Sequence, residues 1–114
     1  MAHPDSEYSF AVLTIFTNAP EQQQQVADAM RVWLTAQAHL QPGVCSFELF
    51  TDESGRHIIS LSRWKDRASF ESFKGSAVGV RASEADRVLT PAQYFLRPEA
   101  AVTLSRREAG SATV

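Results

Sequence analysis

The sequence predicts an α+β fold of the ferredoxin-like, split βαβ type: one antiparallel sheet with its helices on one face. Three observations carry this. Stretches with period 2 alternate with stretches of helical period in the order strand, helix, strand, strand, helix, strand. The two adjacent strands are joined by Asp52-Glu53-Ser54-Gly55, a hairpin turn in which Gly55 supplies the unusual backbone angle. Chain breakers, Gln41-Pro42-Gly43 and Lys74-Gly75-Ser76, fall where helices must stop.

Each element has its own reason. Ser9 to Thr17 alternates Phe10, Val12, Thr14 and Phe16 with Ala11, Leu13, Ile15 and Thr17. Both sets are largely apolar, so both faces of this strand should be covered. Pro20 fits a first helical turn, and a helix is expected from about Pro20 to Leu40. Its stripe is Val26, Met30, Trp33, Leu34 and Ala38, with Ala29 beside it. The second strand, Val44 to Thr51, alternates Cys45, Phe47 and Leu49 with Val44, Ser46, Glu48 and Phe50.

The third strand runs from the hairpin to Trp64, with Ile59, Leu61 and Arg63 on one side and Ile58, Ser60, Ser62 and Trp64 on the other. Asp66 can cap the helix that follows, and Phe70 and Phe73 share one face of it. A further helical piece ends near Leu89, with Val78, Ala82, Ala85 and Leu89 as its stripe; its start is open, because Gly79 interrupts it and Ser83 could also cap. Ala92 to Arg97 reads as a fourth strand and Ala101 to Leu104 as a short fifth. Residues 8–104 form the expected domain, with 1–7 and 105–114 as tails.

Composition bounds the function. The chain has 114 residues, 44% hydrophobic and 21% charged, with a net charge of −2, which fits a small globular domain. There is no basic run, so a nucleic-acid role lacks support. No apolar stretch is long enough to span a bilayer, and the N-terminus does not read as a signal peptide. The lone Cys45 permits no intrachain disulfide, which is compatible with the cytoplasm, and its place in a strand reads as a small core residue. No metal-ligand cluster and no Gly-rich phosphate loop is visible, so no cofactor is expected.

Helices on one face leave the other face bare. Yet Phe10, Val12 and Phe16 oppose Leu13 and Ile15, and Ile59 and Leu61 oppose Ile58, so the bare face would be an apolar patch larger than monomers usually show. A homodimer with two sheets packed face to face is the expected answer. On the helix side, two serines precede a large indole. This suggests a hollow with a polar lining. Two hydroxyls bonded locally, with Trp64 as ordinary core, would give the same pattern.

These residues resemble the antibiotic biosynthesis monooxygenase domain family, a dimeric α+β barrel. The resemblance spans about Phe10 to Leu104 and rests on the first strand, the Pro42-Gly43 turn, and Arg63-Trp64-Lys65-Asp66 with Phe70. It implies a small cofactor-independent oxygenase of the kind that oxidises polyketide anthrones to quinones, with molecular oxygen as co-substrate. In such members a Trp matching Trp64 lines the pocket, and it is kept. An Asn four residues earlier is replaced by Ser60, a Tyr six residues later by Phe70, and a His at the end of the second strand by Phe50. Haem-degrading members carry an iron-binding His where this chain has Ser83, and His3, His39 and His57 lie elsewhere.

The resemblance and the pattern together nominate Trp64 and Ser60 as catalytic residues. Ser62, Phe70, Phe73, Trp33 and Phe50 are nominated as substrate-binding. Arg81 or Arg87 could stabilise an anion from the last helix, although a solvated helix face is the commoner role for both. Glu48 is a conceivable general base, with a rim carboxylate the commoner reading. Three classes stay open: an oxygenase of aromatic polyketide or quinol substrates, a non-oxidative polyketide cyclase, and a non-catalytic ligand-binding dimer.

Overall fold

The computed structural model describes residues 8–102 and 104. The elements in chain order are β1 (Phe10–Thr17), α1 (Gln23–Ala36), β2 (Val44–Thr51), β3 (His57–Trp64), α2 (Arg67–Gly75), α3 (Ala77–Asp86) and β4 (Ala92–Leu96). Single 3-10 turns at Pro20–Gln22, Ala38–Leu40 and Arg87–Leu89 flank the helices. The four strands form one sheet in the order β2-β3-β1-β4, every neighbouring pair antiparallel. This is the expected ferredoxin-like α+β arrangement, with β1 and β3 at its centre.

Strand register defines the two faces. On one, Phe10 opposes Trp64, Val12 opposes Ser62, Thr14 opposes Ser60, and Phe16 opposes Ile58. Both core clusters lie here. Phe10, Val12, Trp64 and Phe70 form one, with Val44, Phe47 and Phe73 packed against it. Phe16, Ala27 and Ile58 form the other, with Val26, Met30, Leu49 and Leu89. Trp64 and Ile58 are fully buried, each contributing about 1.5–3 kcal/mol by transfer from water. The opposite face carries Ala11, Leu13, Ile15, Ile59, Leu61 and Arg63 in register, and none of these joins either cluster. Phe50, Tyr94 and Leu96 on that face are exposed.

Several boundaries differ from the sequence expectation. The long helix breaks at Gln37, whose backbone (φ −121°, ψ −37°) leaves α geometry before the 3-10 turn at Ala38–Leu40. Ala27, not Ala29, is the buried alanine of α1. Ser76 starts α3: its Oγ accepts from Gly79 N at 3.1 Å, and its extended backbone separates α2 from α3. Ala85 is exposed. β4 ends at Leu96, one residue before the expected Arg97. Ala101, Val102 and Leu104 form no strand among the described residues, and Thr103 lies outside them. So do the expected tails, 1–7 and 105–114.

Two turns fix how the layers meet. In the β2–β3 hairpin, Gly55 takes φ +79°, as expected. Asp52 closes the turn, its Oδ2 accepting from Ser54 Oγ at 2.7 Å and its Oδ1 from His57 N at 3.0 Å, with His57 Nδ1 2.7 Å from Oδ2. Those hydrogen bonds, Ser54's first, hold the Asp52 carboxyl well below the usual range. At the α1–β2 turn, Gly43 has φ +82° and its carbonyl accepts from Lys65 N at 2.7 Å. A Cβ there would stand 2.3 Å from Ser69 Oγ on α2. Ser69 is itself held by Asp66, which caps α2 by accepting from Ser69 N at 2.8 Å.

Gly43→Ala should therefore destabilise the fold by about 1–3 kcal/mol, through a left-handed backbone and a displaced cap. Urea unfolding checks this; an unchanged midpoint would show that α2 yields freely at this corner.

Candidate functional site

Trp64, the last residue of β3, is the centre of an aromatic cluster. Its ring lies 5.4 Å from Phe73, 5.6 Å from Phe70 and 5.9 Å from Phe47, centroid to centroid. Trp33 reaches the same cluster from α1, at 6.2 Å from both Phe47 and Phe73. A buried indole N–H needs an acceptor, and Ser62 supplies it: Trp64 Nε1 donates to Ser62 Oγ at 2.9 Å. Strand alternation makes this possible, because residues two apart share a face. The Ser62 hydroxyl thus fixes the indole. In the single chain the space around Trp64 is filled by its aromatic neighbours.

The polar part of the site is a row across the sheet. Ser60 opposes Thr14, and Thr14 opposes Gln93. This row separates the two apolar clusters. Thr14 is buried, and Gln93 Nε2 donates to its Oγ1 at 3.4 Å. Ser60 is half-buried and its hydroxyl makes no hydrogen bond among the described residues. Thr14 and Gln93 escaped the sequence reading. The period grouped Thr14 with Phe10, Val12 and Phe16, and only the register sets it on the Trp64 side beside Ser60.

The structure thus brings Trp64, Ser60, Ser62, Phe70, Phe73 and Trp33 to one side of the sheet. Phe50 is the exception. It opposes Ile59 on the other face and is exposed. The cause is a bulge: Val44 opposes Trp64, yet Ser46 opposes Arg63, so Cys45 is the extra residue. Val44 stays in the core while Ser46, Glu48 and Phe50 move to the opposite face. Glu48 there is ion-paired with Arg63, which also donates to Ser46 Oγ at 3.2 Å. That pairing, led by Glu48, raises the Arg63 pKa.

A separate open groove of about 370 Å³ lies at the β2 edge, lined by Leu34, Thr35, Ala38 and His39 of the α1 end and by Val44 to Phe47. Phe47 stands between this groove and Trp64. Arg81 and Arg87 are exposed on the last helical segment. Burial pushes the Asp86 carboxyl up. Among the described residues, no three of His, Cys, Asp and Glu are grouped to hold a metal ion, and no helix is long and apolar enough to cross a membrane.

Comparison with known proteins follows the same line. The family model described as antibiotic biosynthesis monooxygenase matches residues 9–85. No curated protein matches the chain. Among solved structures, the fold is similar to a monooxygenase from the gene ActVA-Orf6 of Streptomyces coelicolor, in complex with the ligand nanaomycin D. The TM-score is 0.78 at 17% identity, covering 91% of this chain and 100% of that one. It is similar to SnoaB, a cofactor-independent oxygenase from Streptomyces nogalater, with TM-score 0.65, 16% identity, and 83% and 97% coverage. It is also similar to Rv0793 from Mycobacterium tuberculosis, with TM-score 0.70, 18% identity, and 82% and 98% coverage. At these identities the likeness is one of fold.

The Trp64–Ser62 bond is testable on its own. Ser62→Ala leaves a buried N–H unpaired and should cost about 1–3 kcal/mol. Trp64→Phe should cost about as much by lost packing. The double variant should cost less than the sum, because the orphaned donor is gone. Additive losses in a urea-unfolding cycle would show that the bond contributes nothing.

Proposed function

The chain belongs to the antibiotic biosynthesis monooxygenase family, and from that premise we propose that it is a small, cofactor-independent monooxygenase of an electron-rich aromatic substrate, an anthrone or hydroquinone. The observation that carries this is the hydroxyl pair of Ser60 and Thr14, of which Ser60 makes no hydrogen bond among the described residues, beside the aromatic cluster of Trp64, Phe70, Phe73 and Trp33. Apolar walls with a few convergent polar groups are the usual form of a small-ligand site. The similar structures include one that binds nanaomycin D and one called a cofactor-independent oxygenase.

Without a cofactor, the substrate supplies the electrons. A deprotonated anthrone passes one electron to dioxygen, the two radicals combine at the ring carbon, and the peroxide loses water to leave a carbonyl. One oxygen atom enters the product and the other leaves as water. The protein orients the ring, excludes water and stabilises the anion. Trp64, held by Ser62 and enclosed by its aromatic neighbours, is the fixed backing of the site. Phe70, Phe73 and Trp33 pack against the ring, and the Ser60 and Thr14 hydroxyls bond to its oxygens. Phe50, on the opposite face, has no part in this site.

Oxygen uptake by purified protein on hydroxylated anthrones and hydroquinones tests the reading. Turnover should exceed the uncatalysed rate, and Ser60→Val should abolish it while leaving the thermal midpoint nearly unchanged. Ring binding without oxygen uptake would replace the reading with a non-oxidative cyclase or a ligand-binding protein.

The reading includes a homodimer through the open sheet faces. Leu13, Ile15, Ile59 and Leu61, with exposed Phe50, Tyr94 and Leu96, form a continuous apolar surface that a second sheet would cover. Light scattering at micromolar concentration should give a dimer, and Leu61→Asp should dissociate or unfold it, since a buried unpaired charge is costly. A stable wild-type monomer would refute the assembly.

A further inference from the structure

An oxygenase that works on an anionic ring needs a cation near it. The last helical segment supplies none: Arg81 and Arg87 are exposed, and neither lies over an aromatic ring among the described residues. Arg67 does. It is the first residue of α2, and its guanidinium carbon stands 5.3 Å from the ring centroids of both Phe10 and Phe95. Those two rings stack at 5.9 Å with an interplanar angle of 16°, and Phe70 tilts against both, at 5.7 and 5.9 Å. Lys74, two turns along α2, places Nζ 5.9 Å from the Phe70 centroid.

Two cations therefore sit on a platform of three rings. Phe10 and Phe70 are buried beneath it, while Phe95 is 46% exposed. Phe95 opposes Val12 and so lies on the helix side, which a sheet-to-sheet dimer leaves uncovered. Phe70 joins this platform directly to Trp64. The facing carboxylates are accounted for. Glu71 Oε2 lies 3.4 Å from Arg67 Nε, and Asp66 is committed to capping α2. Neither Nη of Arg67 makes a hydrogen bond among the described residues.

We propose that Arg67, with the exposed ring of Phe95, is the mouth of the site and selects a planar aromatic anion, a phenolate or an aryl carboxylate. The ring stacks on Phe95 and the anionic oxygens take the two Nη donors in the fork geometry that lysine cannot offer. Contact with two rings holds the guanidinium in place beforehand, so less freedom is lost on binding. Arg67 is a specificity-determining residue and leaves the oxygen chemistry to the substrate. The inference deepens the monooxygenase reading and rests on it for the identity of the anion as substrate.

The test uses the full chain and two probes of one shape, 2-naphthoate and its neutral amide, titrated by calorimetry. Wild type should bind the carboxylate about tenfold more tightly than the amide, a difference of about 1.4 kcal/mol. Arg67→Gln should erase that preference at an unchanged thermal midpoint, and Arg67→Lys should restore only part of it. Phe95→Ala should weaken both probes, and Arg81→Gln should weaken neither. Equal affinity of wild type for the two probes, no binding of either, or a preference that survives Arg67→Gln would each overturn the proposal. Oxygen uptake on the same variants separates the two ideas. Carboxylate preference without oxygen uptake keeps the mouth and removes the oxygenase. Oxygen uptake on a phenolic substrate that Arg67→Gln leaves untouched does the reverse.

Discussion

A tryptophan buried without water must find an acceptor for its N–H, and much of this fold is arranged around that requirement. The Trp64 indole donates to Ser62, two residues back on the same strand face. The arrangement is local, so it survives any change of helix position. It also fixes the ring plane against which Phe47, Phe70 and Phe73 pack. Two of those rings come from α2, so α2 must begin immediately after β3. Asp66 enforces that start by capping Ser69, and Gly43 lets the α1–β2 turn approach close enough to meet it. One corner of the molecule thus ties together a strand end, a helix start and a turn.

The sheet has two apolar faces and uses them differently. The helix face is divided by the row Ser60, Thr14 and Gln93, which interrupts a surface that would otherwise pack continuously. A polar row under a helical layer is costly unless its groups find partners. The long Gln93–Thr14 contact and the open Ser60 hydroxyl leave capacity there for a ligand's oxygens. The opposite face has no such row. Its Glu48–Arg63 pair sits beside Ser46 toward the β2 edge, and its centre is aliphatic. The first surface suits a small polar aromatic molecule and the second suits another sheet.

Arg67 shows how tertiary structure gives a charged residue at a helix start neighbours that its sequence context lacks. In sequence it is one of several charges after Trp64. In the structure β1 and β4 bring Phe10 and Phe95 beneath it. Those strands are distant in sequence, and nothing in the spacing around Arg67 announces either ring.

Strand parity, the element order, the Gly43 and Gly55 turns and the Asp66 cap were legible in the sequence, because each depends on neighbours only a few residues apart. Parity put Ser60, Ser62 and Trp64 on one face, and the three-residue spacing put Phe70 and Phe73 over it. The apolar content of both β1 faces was already plain. What the tertiary structure alone decided depends on register. Phe50 could not be placed by counting, since the bulge at Cys45 shifts everything after it to the other face. Thr14 and Gln93 became neighbours of Ser60 only once β1 lay between β3 and β4. The break at Gln37 and the buried Ala27 followed from how α1 meets the sheet. Alternation is a property of one strand, whereas register and bulges are settled between strands, and that is where the sequence by itself stopped.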